Sequence, residues 1–422
     1  MSKTIANSRN KFIAFLVIFV GMVLFQLTEL RYIWGVQDIA RFYNVIFLLS
    51  LGVYMMLNIG VRKLSNNVWI YYMLPGLLVF IGYFVNITIN TFRDQSLAIH
   101  YGGLIPWVVY LAVPFLLKDN IINTKSLLRY YYFSTLLITT LGLFDYFLYF
   151  NGLINLQVLT HSNGVFLSGW FSILHLLNDG VGHYRFYASM GEAGSLGMIL
   201  IPSLIYSVIY KRYLGASVLT LGIYLTNSLG AFISGGLVIF LWLILLYRKN
   251  KFSIFIPLFS SVLILSTVLI NWDEIYSSYE KKMDSRIIRE ENVVNAISNL
   301  PSLLVSNPLG LNFSINYSGN TDKNYYGSNF MFLNAIYNGG LVAGIGYMII
   351  MITFFLISLS TFFRKYISSE DIIYTLSILS LIPFSVQRTS LLETSMLMLV
   401  IAPFIIKYLG SYNKKSDKSL DL

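Results

Sequence analysis

The chain has 422 residues, of which 56% are hydrophobic and 11% charged, with a formal net charge of +10 and a mean hydropathy of +0.68. Soluble globular proteins carry about 25% charged residues, so this composition excludes that class and describes a polytopic membrane protein. The lack of any cysteine excludes disulfides, thiol catalysis and thiolate metal sites, and a basic excess in so apolar a chain reads as a topology signal rather than a nucleic-acid surface.

The chain opens with MSKTIANSRNK and an apolar run that no small-residue cleavage site follows, the pattern of a retained first helix. A bilayer core about 30 Å thick is crossed by a helix rising about 1.5 Å per residue. Apolar runs suited to crossing it recur at Phe12–Leu27, Tyr43–Ile59, Val68–Ile89, Tyr101–Leu117, Tyr130–Phe150 and Ser195–Tyr210. They continue at Tyr213–Thr226, Ala231–Tyr247, Phe252–Ile270, Leu341–Phe363, Ile372–Val386 and Leu392–Leu409. The expectation is an all-α fold, one integral membrane domain over residues 1–422 with about 12 transmembrane helices.

With the N-terminus in the cytoplasm, only Arg31, Arg41, Arg93, Arg185, Lys281, Lys282, Arg286, Arg289, Lys323 and Arg388 of the 29 basic residues fall outside. The short inner loops then hold the rest, as the positive-inside rule requires. Both termini face the cytoplasm, and residues 410–422 form a polar, disordered tail. Two long extracytoplasmic loops remain, residues 151–194 and residues 271–332. Long loops are uncommon unless functional, so the chemistry is expected there.

In the first loop, HYRFYASMGEAGSLG runs into an apolar segment. If residues 185 to 192 are helical, Arg185 and Glu192 share a face. Gly191, Gly194 and Gly197 let a second helix or a ligand approach the backbone. In the second loop, an amphipathic helix is expected from Arg286 to Leu300, stopped by Pro301. At about 100° per residue, Ile287, Val293, Val294, Ala296, Ile297 and Leu300 fall within an arc roughly 180° wide, and Arg286 and Arg289 lie on that same arc. Two readings are open for these arginines. They anchor at lipid headgroups, or they clamp a diphosphate, since a guanidinium gives planar paired donors and never loses its charge. Asp145, near the outer end of the fifth span, and Arg388 with Glu393, in the last outer turn, are further charged groups at this depth. They are functional candidates that mutual pairing would satisfy equally well.

The sequence holds no Walker-type phosphate loop, dinucleotide fingerprint, paired-histidine zinc motif or nucleophile elbow. Its four histidines, His100, His161, His175 and His183, show no metal-ligand spacing. No cofactor and no metal are therefore expected. The SGGL at Ser234–Leu237 reads as a helix-packing surface.

In order and placement, RFYASMGEAGSLGMIL, then LTNSLGAFISGGL, then SR at Ser285–Arg286 leading to NPLGLNF and SNFMFLNAIYNGGLVAGIGYMI resemble the O-antigen polymerase and O-antigen ligase superfamily. The polymerase branch is the nearer. The resemblance covers about half of the chain. It implies a membrane-embedded glycosyltransferase of the bacterial cytoplasmic membrane, with its active site facing outward. Such an enzyme moves a glycan from one polyprenyl diphosphate carrier to a sugar hydroxyl on another lipid-linked repeat unit. The implied partners are those lipid-linked oligosaccharides, membrane lipid and a chain-length regulator.

By the same resemblance, Arg185 with Arg286 or Arg289 forms the diphosphate clamp. Glu192 orients or deprotonates the acceptor hydroxyl, or is only the counter-ion of Arg185. Asn329 orients sugar hydroxyls or nearby carbonyl groups, and Arg388 and Asp145, singled out by their charge at this depth rather than by the resemblance, complete the candidate binding residues. Two departures stand out. Many relatives carry a histidine where this chain has Ser328, and the segment from Arg286 to Pro308 is longer than usual. The alternatives from other classes are a lipid-linked oligosaccharide flippase, which needs a midplane site on broken helices, and a structural scaffold. The O-antigen ligase is the alternative within the superfamily.

Overall fold

A computed structural model describes residues 23, 64–94, 104–118, 124–161, 164–176, 184–188, 193–249, 291, 293–305, 308–310, 331–364, 367–382, 384 and 401–410. The expected spans at 12–27 (Val23 apart), 43–59 and 252–270 lie outside them, as does the tail beyond residue 410.

The described chain is mostly helical. A short helix at Asn66–Val68, capped by the Ser65 hydroxyl, and a π-helical turn at Trp69–Met73 lead into α1, Leu74–Asp94. Then follow α2 (Ile105–Lys118), α3 (Thr124–Phe150), α4 (Ala193–Ile209), α5 (Tyr213–Leu225) and α6 (Leu229–Lys249). The last four are α7 (Val293–Val305), α8 (Met331–Phe362), α9 (Ser369–Ser380) and α10 (Ile401–Gly410). Among the described residues, three helices are long and apolar enough to cross a membrane, Asn66–Ile89, Lys125–Phe150 and Phe332–Phe362, and several of the others are shorter apolar helices.

Between α3 and α4 the chain departs from the all-α expectation. Four antiparallel strands, β1 (Gln157–His161), β2 (Gly164–Ser168), β3 (Ile173–Leu176) and β4 (Tyr184–Phe186), form one meandering sheet in order. The sheet gives this backbone the partners that an irregular segment against the apolar bundle would lack.

The helices pack in two groups that α9 joins. α1 lies against α8 and α2, while α4 contacts α3, α5 and α6; α9 touches α8, α4 and α6. Close approach rests on small residues, since without a hydrophobic drive in lipid, helices associate where backbones can meet. A Cβ on Gly82 of α1 would stand 2.5 Å from the Gly339 carbonyl oxygen and 2.8 Å from the Ala343 Cβ, and one on Gly346 would stand 2.6 Å from the Pro75 carbonyl oxygen. Gly197 of α4 similarly receives Ala231 of α6, as expected for that glycine. The SGGL segment behaves otherwise. No described atom lies within 4 Å of a Cβ built on Gly235 or Gly236, so those glycines are not a packing surface among the described residues.

The two ends of the bundle differ in chemistry. One gathers Lys125 of α3, the α4–α5 turn with Arg212, and Arg364 beyond α8. At this end Lys407 of α10 lies 3.8 Å from both Glu370 and Asp371 in the capped first turn of α9. The other end carries the sheet, the α5–α6 turn and the start of α8.

Candidate functional site

The end of the bundle opposite the basic one is built from two junctions. At the first, the sheet closes over the end of α3. Tyr184 and Phe186 alternate with Arg185 along β4, so they share one face. That face meets α3: Phe186 lies 6.0 Å from the Tyr146 ring and against Gly142, and Tyr184 lies 5.7 Å from the Phe150 ring. Arg185 is therefore directed to the opposite face. Its Nη2 donates to the Asn227 carbonyl at 2.9 Å. Asn227 makes this possible by taking φ 45° in the turn between α5 and α6, a left-handed conformation that asparagine tolerates better than most residues. The Thr226 hydroxyl, donating to Ile223 and accepting from the Ser228 N–H, closes the same turn.

Asp145 fastens the sheet from below. β2 and β3 are joined by residues 169–172, with the Gly169 N–H donating to the Ser172 carbonyl at 2.8 Å. Successive N–H groups in such a turn form a concavity that favours an anion. Here the anion is Oδ2 of Asp145, which accepts from the N–H groups of Phe171 and of Ser172, the latter at 3.0 Å. A Cβ on Gly169 would stand 2.5 Å from that oxygen, so only glycine leaves room for the carboxylate. Asp145 is fully buried and organises the loop that carries Arg185.

At the second junction the chain before α8 folds back onto it. α8 is broken at Gly340 (φ 71°, ψ −172°), which separates residues 331–339 from the span that begins at Leu341. The break receives Pro308–Gly310: the Leu341 N–H donates to the Pro308 carbonyl at 3.2 Å, and Asn86 Nδ2 of α1 donates to the Leu309 carbonyl at 2.6 Å. A Cβ on Gly340 would lie 2.5 Å from the Pro308 oxygen, and one on Gly310 (φ 91°) would lie 2.7 Å from the Tyr337 oxygen. α7 packs beside this junction through Ala296 and Leu303 against Leu333, Ile336 and Tyr337, and the Tyr337 hydroxyl donates to the Ala296 carbonyl at 2.9 Å.

Several expectations are corrected here. Arg185 stands in β4 and the following helix begins at Ala193, so a helical spacing of seven does not align Arg185 with Glu192. Pro301 does not stop α7, which runs on to Val305. Proline has no N–H to give to the Ile297 carbonyl one turn back, so the helix passes Pro301 with that hydrogen bond missing, and the residue is exposed. Val294 and Ile297, placed on the apolar arc, are exposed, and the buried stripe runs through Ala296 and Leu303 instead, with Val293 and Leu300 at its edges.

Of the candidate site residues, Arg185 and Asp145 are described, and the sheet junction brings them into one assembly without an ion pair between them. Glu192, Arg286, Arg289, Asn329 and Arg388 lie outside the described residues, as does Ser328. Sequence reasoning missed Asn227 and Asn86. The Asn227 carbonyl receives Arg185 and the Asn86 amide holds the Leu309 carbonyl, and the NS and IT contexts around them carry no charge that would have drawn notice. Among the described residues no group of three His, Asp or Glu side chains is placed to hold a metal.

No protein-family model and no curated protein matches this chain. The resemblance therefore rests on the quoted motifs alone.

Proposed function

We propose that this protein is an oligosaccharide repeat unit polymerase of the bacterial cytoplasmic membrane, working on lipid diphosphate donors at the outer face. The observation that supports the reading is the pairing of its motif segments at one end of the bundle. RFYAS meets TNS through Arg185 and Asn227, and NPLG meets NGGL through Gly310 and Gly340. Segments well separated along the chain, 42 residues in the first case, are thereby gathered away from the basic end.

In the proposed reaction, a sugar hydroxyl of the acceptor attacks the anomeric carbon of the donor glycan. The carbon–oxygen bond to the diphosphate breaks, its electron pair leaves with the polyprenyl diphosphate, and the hydroxyl proton passes to a base. The donor is already activated, so no nucleotide cofactor is needed. The growing charge on the leaving diphosphate requires positioned cations, the role of Arg185 with Arg286 or Arg289. The bond to Asn227 fixes the direction of the Arg185 guanidinium before substrate arrives, which is the pre-organisation such stabilisation depends on. Glu192 is the proposed base, and Asn329 and Arg388 bind the sugars. Asp145 supports the clamp through the β2–β3 turn.

Deletion of the gene, complemented with wild type, Arg185→Ala, Arg286→Ala, Arg289→Ala or Glu192→Gln, tests this by surface glycan length at matched membrane expression. Single repeat units on the deletion surface, with no ladder restored by Arg185→Ala, are expected. Single units trapped on the cytoplasmic side would instead identify a flippase, and a full ladder lacking attachment to its final acceptor would identify a ligase.

A further inference from the structure

The basic end holds a feature that glycan transfer at the opposite end does not use. The Arg212 guanidinium carbon sits 5.4 Å, 5.2 Å and 5.8 Å from the ring centroids of Tyr132, Phe133 and Tyr206. Arg129 shares the Phe133 ring at 5.6 Å, and Lys125 Nζ lies 6.0 Å from the Tyr210 ring. Among the described residues, the ion pairs at this end belong to Lys407 with Glu370 and Asp371, and none of these three cations takes part in one. Two guanidinium groups thus share one aromatic ring without a carboxylate between them. Lys125 and Arg129 also occupy the first turns of α3, which has no acidic residue in its first turn. That is the positive end of the helix macrodipole, where cations are disfavoured and an anion is favoured.

Both costs vanish if an anion is bound, and the chemistry selects its class. A guanidinium held over aromatic rings by cation–π attraction makes no hydrogen bond to them, so its N–H groups are left for paired hydrogen bonds to phosphate oxygens. Tyrosines with an apolar body and a polar tip are the side chains that settle at headgroup level. We infer that Lys125, Arg129 and Arg212 form a binding site for the phosphate of an anionic phospholipid at the basic end of the bundle. The site sets the depth of α3 and of the α4–α5 turn in the bilayer, and it is independent of the glycan reading.

The test is native mass spectrometry of the full chain in detergent, titrated separately with phosphatidylglycerol, phosphatidylcholine and inorganic phosphate. Phosphatidylglycerol is expected to be retained in preference to both others, and its binding to weaken about fivefold for each cation removed. Lys125→Gln with Arg129→Gln is the main variant, because both side chains are exposed and their loss leaves the core intact. Arg212→Gln is the second. Arg364→Gln, which removes a cation stacked on Tyr408 at the same end, is expected to leave retention unchanged. Equal retention by the double variant and wild type overturns the site. So does an equal loss in Arg364→Gln, which would mark general surface charge, equal retention of phosphatidylcholine, or saturation by inorganic phosphate alone.

Discussion

At the sheet junction, Asp145 and Arg185 reach from side chain to backbone across a gap, whereas at the glycine junction backbone meets backbone because Gly310 and Gly340 have nothing to keep it away. The first arrangement is fixed by charge and depends on a few strong bonds to N–H and C=O groups. The second is fixed by shape and depends on atoms that are absent. Two devices thus hold segments at one end of the bundle in place, and they fail in different ways. A charged anchor is weakened by removing atoms, and a glycine contact by adding them.

The sharpest way to break the comparison is Gly340→Val. It adds a branched side chain at φ 71°, with its Cβ 2.5 Å from the Pro308 oxygen. Strain and overpacking together should cost roughly 4 kcal/mol, read as a lowered midpoint in denaturant titration of the purified chain in micelles. Asp145→Ala comes next, at about 3 kcal/mol, because the N–H groups of Phe171 and Ser172 lose their acceptor where water has little access. Hydrogen exchange should locate its effect at residues 169–173, and exchange unchanged there would show that the carboxylate does not hold the hairpin. Tyr337→Phe, which removes the bond to Ala296 while keeping the ring, should cost about 1 kcal/mol and free α7 to limited proteolysis before any other helix. Gly236→Ala sets the floor. With no described neighbour within 4 Å inside α6, it should raise stability by about 0.5–1 kcal/mol through helix propensity, the opposite sign to Gly340→Val.

The parts of this architecture that were legible in the sequence follow from apolar periodicity and length. The apolar helix expected over Leu341–Phe363 is present but already starts at Phe332, and the expected start marks the break at Gly340 instead; an apolar run and a glycine pair are both visible in one dimension. The sheet was not legible. Its strands are three to five residues long, and apolar runs so short are the ones in which helix and strand periods cannot be told apart. The charge of Asp145 was conspicuous but its partners were not, since a turn of backbone N–H groups has no residue signature beyond Gly169. The spacing of Arg185 and Glu192 misled for a related reason: seven residues fit two helical turns, yet spacing has meaning only once the period is known, and β4 has the other period. In α7, one proline was read as a stop although it sits on an exposed face where the helix passes it.

The amide of Asn86 and the carbonyl of Leu309 are separated by 223 residues of chain, and that interval has a meaning in time. At a synthesis rate of about 5–20 residues per second, α1 is made roughly ten to forty-five seconds before its partner leaves the ribosome. Through that interval the Gly82 groove and the Asn86 side chain face lipid, the translocation machinery or a chaperone. A nascent chain arrested before Pro308 would therefore present α1 as an unfinished surface, and the glycine junction closes only when the ribosome has passed residue 341.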